Sequence, residues 1–230
     1  MEEVLDVNKC DVDIQKKRIL SKVSFHVYRG EIMALVGHNG AGKSTLMKTI
    51  IGSREKVSGN IAIRGYDQDE QYRTYKLNFT YIPEEPLLFN ELTVYHHFRL
   101  FQQSYAIPEE VFKERVDHYV QGFELTDKLD EYPEALSKGM RQKVQTICAL
   151  LPDVPILFID EPFMGLDVYA GAFLEKELQH KRERGGSIVL TTHQLDKVSE
   201  LADRYVMLVD GLVSSSGNVS GFNDLERRWT

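Results

Sequence analysis

The segment from Gly37 to Thr45 is the part of the sequence whose residue types and spacing point most directly to chemistry. It fits the pattern G-x-x-x-x-G-K-[ST] without a mismatch, follows the apolar run Ile32 to Val36 and precedes a helical pattern that stops at Gly52. Glycines let backbone N–H groups converge on phosphate oxygens, and a helix start adds positive potential. The order strand, loop, helix therefore predicts a nucleotide phosphate site. Its predicted binding residues are Gly37, His38, Asn39, Gly40, Ala41, Gly42, Lys43, Ser44 and Thr45.

Four side chains could act on the bound phosphates. Lys43 is predicted to reach the β- and γ-phosphates, and Ser44 is predicted to ligate Mg²⁺. Asp160 and Glu161 follow the apolar strand Ile156 to Ile159, and so they should lie at the carboxyl edge of a sheet, where ligands gather. We expect Asp160 to hold the metal shell and Glu161 to polarise a water for in-line attack. On the residues alone, two solvated acids at a strand end remain an equal alternative.

The composition narrows the class of protein. With 42% hydrophobic and 27% charged residues in 230, the chain is neither disordered nor fibrous, and its net charge of -7 argues against nucleic acid as a partner. Cys10 and Cys148 are too few for a disulfide framework. No window approaches the roughly 18 apolar residues of a spanning helix, and the first ten residues resemble no signal peptide. We therefore expect a chain that is not exported and meets a membrane only through a partner.

Strands and helices alternate around these residues. Apolar runs predict strands at Ser187 to Thr191 and Tyr205 to Val209, in addition to the two named above, and this alternation predicts a parallel sheet. Alternating residues from Val23 to Tyr28 indicate β hairpins in the first third. Thr93 to Gln121 is predicted to be helical, and Ser137 to cap a further helix. The segment from Ser214 onward gives no structural expectation.

Three further motifs make the pattern specific. Leu136 to Met140 reads LSKGM and lies just before the acidic strand; Gly165-Leu166-Asp167 follows that strand; and Thr191-Thr192-His193 ends the next one. With the phosphate loop, this ordered set resembles the ATPase subunit of ATP-binding cassette (ABC) transporters over nearly the whole chain. The three motifs are similar to the signature, the D-loop and the switch histidine of that family.

The resemblance implies an α/β fold: a P-loop NTPase (RecA-like) core with an antiparallel β subdomain and an inserted α-helical subdomain. It implies a single ABC ATPase domain over residues 1–230. Residues of about 1–85 and 152–230 would form the nucleotide-binding core with the β subdomain, and about 86–151 the helical subdomain that carries the signature motif.

The resemblance also implies a mechanism. Two subunits, taken here as a homodimer, would sandwich two ATP molecules head to tail, with Mg²⁺ as the second cofactor. Ser137 and Gly139 would contact the γ-phosphate of the partner's ATP, Asp167 would belong to the shared site, and His193 would act with Glu161 as a catalytic residue that senses the γ-phosphate. The chain would be cytoplasmic, peripheral at the inner face of the cell membrane, and would power export through a separate transmembrane permease subunit.

Three features of the sequence depart from the common family pattern. Glu84 stands where the Q-loop glutamine is usual, so a carboxylate would contact the nucleotide and Mg²⁺ there. Lys138 and Met140 replace glycine and glutamine in the signature, although SKGMRQ resembles a bacterial exporter branch, and this resemblance implies export with a peptide as the substrate. The stretch from Lys9 to Gln15, which would normally present an adenine-stacking aromatic residue, contains none.

Two other classes of function stay open. A soluble, non-transport ABC ATPase that acts on ribosomes or DNA would share the nucleotide chemistry, but such proteins usually carry paired cassettes or a long coiled coil, and this chain has neither two phosphate loops nor sustained heptads. A P-loop kinase or GTPase would share Gly37 to Ser44 but would not need Leu136 to Met140.

Overall fold

The computed structural model describes residues 2–192 and 195–221, and within them the chain forms ten strands and seven α-helices. The strands are β1 (Glu3–Ile14), β2 (Lys17–Tyr28), β3 (Ile32–Val36), β4 (Ser58–Ile63), β5 (Tyr66–Asp67), β6 (Phe79–Ile82), β7 (Ile156–Asp160), β8 (Ser187–Thr191), β9 (Arg204–Val209) and β10 (Leu212–Asn218). The helices are α1 (Lys43–Ile50), α2 (Tyr72–Lys76), α3 (Val94–Ser104), α4 (Glu109–Gly122), α5 (Lys138–Leu150), α6 (Val168–Glu183) and α7 (Leu195–Leu201).

A six-stranded sheet in the order β10-β9-β3-β8-β7-β6 forms the centre of the fold. Strands β9, β3, β8, β7 and β6 run parallel, which confirms the predicted parallel sheet. Every residue of β3, β7 and β8 is buried, as expected for strands that are covered on both faces. Because parallel strands end at the same edge, the residues that follow Val36, Asp160 and Thr191 are brought together there.

A second sheet of four antiparallel strands, β2-β1-β4-β5, packs over one face of the first. Successive side chains of a strand point to opposite faces, and those of β3 therefore enter two apolar cores. Met33 and Leu35 join a cluster with α1 and the four-stranded sheet. Ile32, Ala34 and Val36 join a cluster with α3, α4, α5 and α6. This arrangement confirms the predicted fold class, a P-loop NTPase core with antiparallel β and α-helical additions.

Helices α3, α4 and α5 follow one another between β6 and β7, as the sequence predicted for this stretch. Thr93 caps α3 by accepting a hydrogen bond from the backbone N–H of His96, and α4 begins after Pro108 with two glutamates in its first turn, where the helix dipole favours negative charge. Among the helices of the described ranges, none has both the length and the apolar character needed to cross a membrane.

Strand β10 had no counterpart among the sequence predictions. It pairs antiparallel with β9 at one edge of the six-stranded sheet and includes Ser214, where the sequence had been uninformative. His193 and the last nine residues of the chain lie outside the described residues.

Candidate functional site

The phosphate loop follows the buried strand β3 and ends where α1 begins. Two of its glycines are required by geometry. Gly42 precedes α1 with a φ of 106°, in the left-handed region that favours glycine, and a methyl group on Gly37 would lie only 2.3 Å from the backbone oxygen of Leu208. The start of the loop therefore packs directly against the backbone of β9, which leaves no room for a side chain at position 37.

Lys43 is 7% exposed and lies folded over this loop. Its Nζ donates hydrogen bonds to the backbone oxygens of Gly37 (2.7 Å) and His38 (3.2 Å). Burial lowers the pKa of Lys43, while the carboxylates of Glu161 and Asp160 oppose that shift. The buried ammonium group of Lys43 thus lies against two backbone carbonyl oxygens of the loop and is stabilised by the charges of two nearby acids.

Both acids are buried at the end of β7, where Asp160 is 4% and Glu161 6% exposed. The hydroxyl of Thr191 in β8 donates to Asp160 Oδ1 at 2.5 Å. The backbone N–H of Glu161 donates to Thr191 at two atoms, the hydroxyl oxygen and the carbonyl oxygen, each at 3.2 Å. One threonine on the neighbouring strand therefore fixes both acids.

Tyr81 of β6 contacts Asp160 from the other side. Burial raises the pKa of the Tyr81 phenol, and the charge of Asp160 and a hydrogen bond to it raise that pKa further. The phenol consequently keeps its proton and remains a donor to the carboxylate.

A cavity of about 380 Å³ joins these groups. It is lined by Ile19, Asn39, Gly40, Gly42, Lys43, Ser44, Thr45, Glu84, Asp160 and Glu161. The structure thus brings most of the predicted phosphate-loop residues together with both acids and Glu84. The other three loop residues form hydrogen bonds within the loop. The backbone oxygens of Gly37 and His38 accept from Lys43, and the backbone N–H of Ala41 donates to the backbone oxygen of His38.

Ser137, Gly139 and Asp167 lie outside the lining of this cavity. Ser137 caps α5 by accepting a hydrogen bond from the backbone N–H of Met140, as its helix-start position predicted. Gly139 packs against the backbone of Gly165. Asp167 caps α6 by accepting a hydrogen bond from the backbone N–H of Ala170. The chain therefore carries two separate groups of predicted nucleotide contacts.

Comparison with known proteins decides what this arrangement is. A family model described as ABC transporter matches residues 20–164. The ABC-type transporter ATP-binding protein EcsA of Bacillus subtilis is 36% identical over 88% of this chain and 82% of its own length. The chain belongs to the ABC transporter family. It is an ATP-binding subunit of that family and an ATPase, which confirms the resemblance drawn from its motifs.

Two further relatives agree with this assignment. A solved structure described as the ATP binding subunit of an ABC transporter superposes with a TM-score of 0.92 at 38% identity, over 98% of this chain and 93% of that one. The SkfA peptide export ATP-binding protein SkfE of Bacillus subtilis is 33% identical over 88% of this chain and 84% of its own length.

Glu84, the departure in the Q-loop of this ABC subunit, lies just beyond β6 and is exposed to the cavity. Helix α5 holds the loop in place on both sides of it. Gln142, which is buried, donates through Nε2 to the oxygen of Pro83 at 3.2 Å, and Gln145 accepts from the backbone N–H of Leu87 at 3.1 Å. The third carboxylate at the cavity is therefore part of a loop that α5 supports.

The donor set at the cavity fits Mg²⁺. Ser44, Asp160 and Glu84 present a hydroxyl and two carboxylates, the oxygen ligands that this hard cation prefers. In the described part of the chain, histidine, cysteine, aspartate and glutamate residues form no cluster of three or more that could hold a metal ion by itself. The residues thus suit a cation that is shared with the phosphates of a bound nucleotide.

Some residues at the site were not assigned a role from the sequence. The sequence predicts Thr191 as a strand end and as part of the segment before His193, but its contacts to the acids depend on the pairing of β7 with β8. Ile19, rather than any residue from Lys9 to Gln15, lines the cavity beside the phosphate loop. Lys143 of α5, which pairs with Asp167, carried no recognisable signal beyond its place in a helix.

Proposed function

We propose that the chain binds and hydrolyses ATP with Mg²⁺ and that it powers export of a substrate, with a peptide as the favoured class, through a separate transmembrane permease. Peptide export is supported by the name of SkfE, a relative at 33% identity over most of both chains. A separate permease is supported by the 38% identical structure, which is described as a subunit and is covered over 93% of its length. The chain would then be cytoplasmic and peripheral at the inner face of the membrane.

The observation that carries the mechanism is the separation of two half-sites on one chain. The phosphate loop and the acids share one cavity, whereas Ser137 and Gly139 lie outside its lining. A head-to-tail homodimer would complete each site, because the start of α5 in one subunit would offer its N–H groups and the Ser137 hydroxyl to the ATP of the other. Asp167, at the start of α6, would belong to the same shared interface.

Within each site, Lys43 and the loop N–H groups would hold the β- and γ-phosphates. Glu161 would orient a water molecule and take its proton while the water oxygen attacks the γ-phosphorus in line, and the bond to the bridging oxygen breaks to give ADP and phosphate. Ser44, Asp160 and Glu84 would hold Mg²⁺, which neutralises charge on the phosphate oxygens when bound. His193, outside the described residues, keeps its predicted role as a γ-phosphate sensor.

Reconstitution of the full chain with the membrane protein that co-purifies with it tests this proposal. In vesicles, ATP hydrolysis and ATP-dependent uptake of a fluorescent peptide panel would be measured for wild type, Glu161→Gln and Glu183→Gln, an exposed glutamate at the end of α6. Loss of a general base predicts a fall in hydrolysis of about 100-fold or more for Glu161→Gln, with ATP binding retained. Glu183→Gln should match wild type.

The outcomes separate the parts of the proposal. Unchanged hydrolysis and uptake in Glu161→Gln would show that the assigned mechanism is wrong. Co-purification with ribosomes instead of membranes would favour a soluble ABC ATPase, and phosphate transfer to a small acceptor or strict GTP preference would favour a kinase or GTPase.

A further inference from the structure

Helix α5 contacts the D-loop of its own subunit at two points. A methyl group on Gly139 would lie 2.6 Å from the backbone oxygen of Gly165, so the two backbones touch. Four residues later, Lys143 Nζ forms an ion pair with Asp167 Oδ2 at 2.7 Å. Residues four apart lie on the same face of a helix, and both contacts are therefore made by one face of α5.

Lys143 is an unusual member of this pair because its side chain is only 10% exposed, against 50% for Asp167. Lysines usually extend their charged ends to water, and a buried ammonium group needs a partner. The Asp167 carboxylate supplies it. A hydrogen bond from Lys143 lowers the pKa of Asp167 most, followed by one from the backbone N–H of Ala170. The carboxylate is thus held ionised, with Oδ2 toward Lys143 and Oδ1 toward the start of α6.

The segment that leads into these contacts begins at Glu161, the proposed general base. Glu161 has a left-handed φ of 52°, and its backbone oxygen accepts from the N–H of Met164 at 3.2 Å. The turn that starts at Glu161 therefore runs directly into Gly165 and Asp167. A displacement of α5 would be transmitted to this turn through Gly165 and Asp167.

We propose that Lys143 is a positioning residue that makes the signature end of α5 and the D-loop move as one unit. This inference rests on the proposed function, in which Ser137 and Gly139 contact the ATP of the second subunit. When they do so, Lys143 keeps the D-loop, and the turn that contains Glu161, in register with them. Hydrolysis in one site is thereby coupled to the arrival of α5 at the other.

Four variants of the full chain test the role. Lys143→Met removes the charge and keeps the length, Lys143→Arg keeps the charge, and Asp167→Asn loses the charge but retains an oxygen that can cap α6. Lys176→Met, at an exposed lysine of α6, is the matched control. Each substitution would be made in the otherwise wild-type chain, to measure kcat and KM of ATP hydrolysis. Each would also be combined with Glu161→Gln, to measure ATP-dependent dimerisation by sedimentation. Binding of a fluorescent ATP analogue to dilute monomer is the third readout.

The expected effect falls on assembly and turnover and not on the monomer's ATP affinity. Loss of one charged hydrogen bond predicts dimerisation and kcat weakened by about tenfold in Lys143→Met and Asp167→Asn. Lys143→Arg should recover to within about threefold of wild type, because the positive charge is kept. The double variant Lys143→Met/Asp167→Asn should lose no more than Asp167→Asn alone, as expected if Lys143 acts only through its contact with Asp167.

Three results would overturn the inference. The inference is refuted if Lys143→Met dimerises and turns over ATP like wild type. It is also refuted if Lys143→Arg and Lys143→Met lose activity equally and both have a lower melting temperature, because that result indicates a purely structural role. Additive losses in the double variant would refute the contact itself. If Glu161→Gln without further substitution does not dimerise with ATP, the proposed composite site is wrong as well. If it dimerises and the Lys143 and Asp167 substitutions do not weaken that dimer, only this inference is overturned.

Discussion

Thr191→Val is the substitution for which the structure gives the clearest expectation. Valine fills the same space, but it removes the hydroxyl that donates to Asp160 and accepts from the backbone N–H of Glu161. The Glu161 N–H keeps the Thr191 carbonyl as an acceptor, and Tyr81 still contacts Asp160. The loss is therefore one buried hydrogen bond to a charged group, which corresponds to about 2 kcal/mol of unfolding free energy.

For a chain of this length, that loss predicts a melting temperature lower by roughly 4–8 °C, measured by calorimetry. ATP hydrolysis should fall as well, because one threonine positions both acids. Thr80→Val is the matched control: its buried hydroxyl donates to the backbone oxygen of Ala149, away from the cavity. We expect it to lose about 1 kcal/mol of stability with no loss of kcat.

Thr191→Ser separates the hydroxyl from the methyl group and should retain both acid contacts and most of the activity. The reasoning is refuted if serine and valine at position 191 impair hydrolysis equally. It is also refuted if Thr191→Val is as active as Thr80→Val after both are compared at temperatures where they are fully folded.

Three further predictions concern other parts of the molecule. Gly139→Ala should reduce ATP hydrolysis by roughly ten- to a hundredfold, because the added methyl group would press on the backbone of Gly165. Gly171→Ala is the control, since a methyl group there would meet open space and should leave hydrolysis intact. Equal activities of the two variants would contradict the close contact. In wild type, ATP at 100 times its Kd should raise the unfolding free energy by about 2.7 kcal/mol and raise the melting temperature accordingly. Lys43→Met should abolish this increase, whereas Lys48→Met, at an exposed lysine, should keep it. An increase retained in Lys43→Met would show that Lys43 does not bind phosphate. His97 is buried, and burial lowers its pKa, while the hydrogen bond that its Nδ1 donates to the Thr93 oxygen opposes that shift. Its Nε2 accepts from the Phe89 N–H, which requires the neutral ring. Its contribution to stability should be complete above pH about 6.5 and should be lost as pH falls through the lower folded-state pKa, so unfolding free energies of wild type and His97→Gln should converge on acidification; a constant difference would contradict this.

The parts of the fold that local patterns specify were predictable. The buried runs of β3, β7 and β8 have no polar interruption before their ends, and the cap at Ser137 follows from a hydroxyl at a helix start. Strand β1 was not identified because several register irregularities break its alternation, so that Val4 and Leu5 are both buried. Strand β10 was missed because its serine-rich residues are stabilised by pairing with β9 and carry little apolar signal.

The residues of the site also fall into those that the sequence predicts and those that it does not. The phosphate loop and the acidic strand end are each a continuous stretch of sequence, and their chemistry can be inferred from residue types. Thr191 acts on Asp160 across 31 positions, and Lys143 reaches Asp167 only because α5 and the D-loop fold against each other. Contacts of this kind depend on strand pairing and helix packing, which no local period encodes.

The central claim, that each catalytic site is completed by a second subunit, is tested most directly by the hydrolysis rate per chain over a dilution series in which sedimentation reports the fraction of dimer. We expect the rate per chain to follow the dimer fraction and to approach zero in strictly monomeric protein that still binds ATP. A rate per chain that stays constant from dimer to fully monomeric protein would contradict the composite site.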